Sequence, residues 1–99
     1  MNGIAYQFAN SPINKEINTI SIGTSGTVSA LATGSADLMW RATTNGGNAG
    51  EIRITTKEGT TDCFILEAGV DTGWIPGNLE NYWYYGQVAG DTLHLWRLR

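Results

Sequence analysis

The chain predicts an all-β fold: a single-domain antiparallel β-sandwich or barrel, jelly-roll-like, with an extended N-terminal arm. Three observations lead there. No window of a dozen residues keeps a 3.6-residue apolar repeat, and 13 glycines interrupt the 99 residues. Short runs of alternating apolar and polar residues recur instead, each closed by Gly, Asn, Asp or Ser. These runs, roughly seven or eight at a spacing of about 8–12 residues, have the rhythm of a sandwich or barrel. The length is that of one domain, with no internal repeat and no linker.

Taken in order, residues 1–16 read as the arm and 17–99 as the β-domain. In the arm, Ile4, Tyr6 and Phe8 alternate with Ala5 and Gln7 as an extended segment does, and Asn10-Ser11-Pro12 breaks it, because Pro12 lacks a donor and restricts Ser11. Ile17 to Ile22 is the first regular strand, and Gly23-Thr24-Ser25-Gly26 turns it. A second run sets Val28, Ala30 and Ala32 on one face. Leu38, Trp40 and Ala42 form the next inward face, with Met39 and Arg41 opposite. Asn45 to Gly50 is expected to close a hairpin, since Asn-Gly supplies positive φ, and Ile52 and Ile54 begin the returning strand. Lys57 to Thr60 is a second turn, followed by Phe64 and Leu66 alternating with Cys63 and Ile65. Pro76 limits any ladder around Trp74-Ile75-Pro76. Leu79, Tyr82 and Trp83 suit one helical turn after Asn78, while Tyr84-Tyr85 suits the start of a strand. Ala89-Gly90-Asp91 turns into a last strand from Asp91 to Arg99.

Composition excludes some functions. Charged residues are 15%, net charge is −3, and the 6 Lys and Arg are scattered, so no basic stripe exists to meet a nucleic acid. No run approaches the ~18 apolar residues of a membrane-spanning helix. Met1-Asn2-Gly3-Ile4 has neither a basic nor an apolar leader segment, which predicts synthesis in the cytosol. The single cysteine, Cys63, rules out an internal disulfide and is expected to be buried in the run Cys63-Phe64-Ile65-Leu66.

Catalysis finds little support. His94 is the only histidine and sits mid-strand between Leu93 and Leu95, as a packed or interface residue would. No G-x-S-x-G, Walker or HExxH pattern is present, so no catalytic residue, cofactor or metal is expected. Loop carboxylates at Asp62 or Asp71 lack the ligand series of an EF-hand, and stabilising a turn is the stronger reading for both. A glycosidase would need two carboxylates in one deep cleft, for which so small a β-domain leaves little room.

The aromatic C-terminal quarter carries more information. Three of the four tryptophans and three of the four tyrosines fall within residues 74–99. In the last strand Leu93 and Leu95 take one face and His94, Trp96 and Leu98 the other, so both faces ask for a cover. One cover is the core; the other is expected to be a second chain. Trp83, Tyr85, Trp96 and Leu98 are the residues expected to pack subunits together. Trp74, Tyr82, Trp83 and Tyr85 offer the alternative of a sugar-stacking platform.

The stretch Asp71-Thr72-Gly73-Trp74-Ile75-Pro76, then Asn78-Leu79, an aromatic segment and Ala89-Gly90-Asp91-Thr92-Leu93-His94-Leu95, resembles small structural proteins of tailed bacteriophages, notably cyanophages and other marine phages. Some of these are capsid decoration (cement) proteins or head-fibre bases. The resemblance covers about the C-terminal third. It implies a virion protein, usually trimeric, on the outer capsid surface, with the major capsid protein as partner. Ile4, Tyr6 and Phe8 are then the expected capsid-docking residues, with the arm reaching a neighbouring shell subunit. The alternatives are a carbohydrate-binding or fibre-associated adhesion module, and a small inhibitor of a host enzyme, whose acidic face the evenly spread carboxylates do not supply.

Overall fold

The computed structural model describes residues 15–33, 37–56, 58 and 61–98. These hold eight strands: β1 (Lys15–Ser21), β2 (Ser29–Ala30), β3 (Met39–Thr44), β4 (Ile52–Thr56), β5 (Thr61–Leu66), β6 (Ile75–Pro76), β7 (Trp83–Gly86) and β8 (Thr92–Leu98). One short 3-10 turn, Leu79–Asn81, precedes β7.

The pairings are nested. β1 pairs with β8, β2 with β7, β3 with β6 and β4 with β5, all antiparallel. This is the ladder of one long hairpin, β1 to β4 running out and β5 to β8 running back. Rolling that ribbon brings β8 against β3 and β7 against β4. Two four-stranded sheets result, β1-β8-β3-β6 and β2-β7-β4-β5. The expected β-sandwich is therefore a jelly roll, an architecture shared by capsid, lectin and other domains.

Period-two alternation builds the core. Trp40, Ala42, Leu93 and Leu95 of the first sheet face Ile52, Ile54 and Leu66 of the second, and Ile22, Leu31 and Leu79 seal the ends. Trp40 is fully buried at the centre, edge-on to Phe64 with centroids 6.1 Å apart and tilted over Tyr82 at 4.9 Å. At Gly86 of β7 a Cβ would lie 2.6 Å from Ile22 Cγ1, so only glycine fits.

Several expectations need correction. The Asn45–Gly50 segment does turn, with Asn48 N–H donating to Asn45 O, but it is an arch between sheets, because β3 is laddered to β8 and β6 while β4 is laddered to β5 and β7. The expected strand around Val28 to Ala32 shrinks to two residues, and Val28 is exposed. Leu38 is also exposed, because β3 begins one residue later. Cys63 is exposed rather than buried. The β4–β5 register slips between Ile54 and Thr55, which leaves Cys63 as the extra, unpaired residue of a bulge. β1 starts at Lys15, so the last two residues assigned to the arm belong to a strand; the arm's Ile4, Tyr6 and Phe8 lie outside the described residues.

The region of the last turn is fastened by buried charge. Arg97 follows Leu93 and Leu95 on the inward parity of β8, where a lone guanidinium would be costly. Asp37 answers it in a two-point contact, Nε to Oδ1 at 2.9 Å and a terminal nitrogen to Oδ2 at 3.2 Å. Asp37 Oδ2 also accepts from Leu79 N–H at 3.1 Å, while Asn78 caps the 3-10 turn. At the other end, the Asp91 carboxylate accepts from Ala49 and Gly50 N–H, both at 2.9 Å, and ties the inter-sheet arch to the start of β8.

Candidate functional site

Both inward faces are spent on the core, so among the described strands the two outward faces are the surfaces open to a partner. On the first sheet the outward residues of β8 are Thr92, His94, Trp96 and Leu98. Register places Ile17 and Arg41 on either side of Trp96, and Thr19 and Thr43 on either side of His94. Ile17 is 61% exposed and Trp96 36%, adjacent on neighbouring strands. Arg41 lies over the Trp96 ring, 5.6 Å from its centroid, and is held there by Asp71. Asp71 also accepts from Thr43 Oγ1 at 3.1 Å and Gly73 N–H at 2.6 Å. These donors, Arg41 first, lower its pKa to about 2. The result is an apolar pair, Ile17 and Trp96, with one flank fixed by an ion pair.

His94 shares a 3.1 Å contact between Nδ1 and Thr19 Oγ1 and is half-buried, which suits a packing role. Leu98 shares the outward parity but is only 7% exposed, so it has little surface left for a partner.

The second sheet's outward face carries Trp83 and Tyr85 of β7, because Tyr84 and Gly86 between and beyond them take the core. Arg53 lies directly across from Tyr85, and Ile65 across from Arg53. Arg53 donates to Glu51 Oε1 from Nε at 2.8 Å and from a terminal nitrogen at 2.6 Å, and to Asp62 Oδ2 at 2.9 Å. These contacts, Glu51 foremost, raise its pKa further above the usual guanidinium range. Tyr85 Oη donates to Asp62 Oδ1 at 3.4 Å and Gln87 Nε2 to Glu51 Oε1 at 3.1 Å. A cleft of about 360 Å³ opens at this end, lined by Asn48, Glu51, Glu67 and Gln87 among others.

The four residues expected to pack subunits thus split into two pairs on opposite faces, Trp96 with Leu98 and Trp83 with Tyr85. The four aromatics of the alternative platform split as well. Tyr82 stacks on Trp40 in the core and Trp74, 43% exposed, precedes β6 of the first sheet; only Trp83 and Tyr85 share a face. Sequence reasoning missed the buried Asp37–Arg97 pair and the cluster around Arg53. The parity of Arg97 was a usable signal for the first. The second needed the β4–β5–β7 registers, which bring together Glu51, Asp62, Tyr85 and Gln87 from separate parts of the chain.

Asp62 and Asp71 both serve as arginine partners, and among the described residues no group of three His, Cys, Asp or Glu side chains is placed to hold a metal. No helix among the described residues is long and apolar enough to cross a membrane. Comparison with protein-family models, with curated proteins and with solved structures finds no match.

Proposed function

We propose that this chain is a virion structural protein, a capsid decoration protein that assembles as a homotrimer on the outer capsid surface and stabilises contacts between capsid subunits. The observation that supports the reading best is the exposed Ile17–Trp96 pair on the first sheet, with Trp96 braced by Arg41. A large aromatic already held in one orientation loses little freedom on docking, which is what an interface anchor requires. The jelly roll adds support by analogy only, since the same fold serves many roles. In this reading the first sheet's outer face packs against a neighbouring subunit, and residues 1–12, with Ile4, Tyr6 and Phe8, reach the major capsid protein. Several weak arm contacts made at once by a symmetric assembly add up to tight attachment.

Sedimentation equilibrium of the purified chain, followed by co-sedimentation with empty capsids, tests this. The expected result is a trimer that pellets with capsids. Trp96→Ala should weaken the trimer by about tenfold or more in dissociation constant. Removing residues 1–12 should abolish pelleting and leave the trimer intact. A chain that stays monomeric at high concentration and ignores capsids refutes the reading.

A further inference from the structure

We propose that the outer face of the second sheet, from Trp83 and Tyr85 to the cleft beside Glu51 and Glu67, is a binding site for a neutral oligosaccharide. Trp83 and Tyr85 project from the same side of one strand, about 7 Å apart along it. Neither is part of the core packing, and Tyr85 is anchored at its hydroxyl by Asp62. Such rings offer apolar faces to the C–H side of a sugar.

What surrounds them selects the ligand. A sugar hydroxyl both donates and accepts, and here carboxylate acceptors (Glu51, Asp62) stand beside guanidinium and amide donors (Arg53, Gln87) within one connected set of hydrogen bonds. Arg53 is held at both ends of its fork, so the set is ordered before anything binds. An anionic ligand would meet Glu51, Asp62 and Glu67, with Arg53, itself tied to Glu51 and Asp62, as the cation beside them among the described residues. A cation would have to displace Arg53 from its partners. A flat apolar protein surface would strip water from the ion pairs and return no hydrogen bonds. A neutral polyhydroxylated chain meets none of these penalties, since its hydroxyls replace the water.

The cleft provides a place for the chain to continue. Its volume of about 360 Å³ lies within the range of small-ligand sites, and it shares Glu51 and Gln87 with the hydrogen-bonded set around Arg53. One sugar stacked on Tyr85 therefore leads to a second whose hydroxyls reach Gln87, Glu67 and Asn48. This inference does not depend on the assembly reading, which uses the opposite face.

A glycan array carrying neutral and acidic oligosaccharides, probed with the full chain, tests it. Titration of the strongest neutral hit into wild type and variants follows. The expected result is binding to neutral glycans, weakened about tenfold by Trp83→Ala or Tyr85→Ala and unchanged by Trp96→Ala. Gln87→Ala, on an exposed position that threatens no core packing, provides a second disabling variant should the aromatic changes unfold the chain. Retention of no neutral glycan, retention of acidic glycans alone, or affinity unchanged by both Gln87→Ala and a folded Trp83→Ala would overturn the proposal.

Discussion

On the first sheet Trp96 stands between an isoleucine and an arginine; on the second, Tyr85 stands beside an arginine whose other neighbour is an isoleucine. The ingredients are nearly the same, and the surfaces differ because of what holds each arginine. Arg41 has one carboxylate, Asp71, and covers one flank of Trp96, leaving the Ile17 side apolar. Arg53 has two carboxylates, and a glutamine and a tyrosine hydroxyl join them, so the aromatic there sits in a hydrogen-bonding field. One added carboxylate and one amide convert an apolar dock into a polar one. An exposed aromatic is thus defined by the partners of its neighbours more than by its own exposure.

Both faces ride on one frame, and breaking the frame should abolish the difference between them. Arg97→Met removes the guanidinium that faces the buried Asp37 carboxylate, an effect of about 3–5 kcal/mol in urea unfolding, with the proposed assembly and the proposed glycan binding expected to fail together. Replacing Asp37 by an apolar residue in the same chain should recover much of that stability; no recovery would mean that Asp37 acts mainly through Leu79 N–H. A smaller loss, about 1–3 kcal/mol, is expected for Gly86→Ala, whose new methyl meets Ile22. If thermal unfolding of that variant matched wild type, the Ile22 side chain would not be held against Gly86.

Asp71 titrates near pH 2 in the folded protein, below its ordinary value of 3.8, because Arg41, Gly73 N–H and Thr43 favour its charged form. A depressed carboxylate stabilises the fold above its unfolded pKa and loses that contribution as pH falls toward the folded one. Asp71→Asn should therefore be slightly less stable than wild type at pH 7, with the gap closing between about pH 4 and pH 2. A gap at pH 2 as large as that at pH 7 would show that the asparagine disturbs something besides charge.

Much of this was legible in advance. Alternation placed Trp40, Ala42, Ile52 and Ile54 inward correctly and put Leu93 and Leu95 together on one face, whose assignment to the core came from the structure, because a half-buried strand imposes period two on its residues. Turn chemistry after Asn78 and at Ala89–Gly90 was also readable. Cys63 and Leu38 were misplaced for local reasons: Cys63 is the extra residue of a bulge, and Leu38 lies just before β3 begins, beyond the part of the strand that the core covers. The Asn45–Gly50 segment was misread because Asn-Gly specifies a sharp turn and says nothing about which sheet receives the next strand.

The sequence by itself thus determined the class of fold, most of the inward residues and the two-sided character of the last strand, since these follow from local periodicity and turn preference. Tertiary structure alone decided which sheet each strand joins. It thereby placed Trp96 and Tyr85 on opposite surfaces, seated Asp37 on Arg97 across 60 residues, and gathered Glu51, Asp62 and Gln87 around Arg53. The physical reason is that ladder pairing depends on long-range register, and no short window of residues encodes which distant strand will supply the partner.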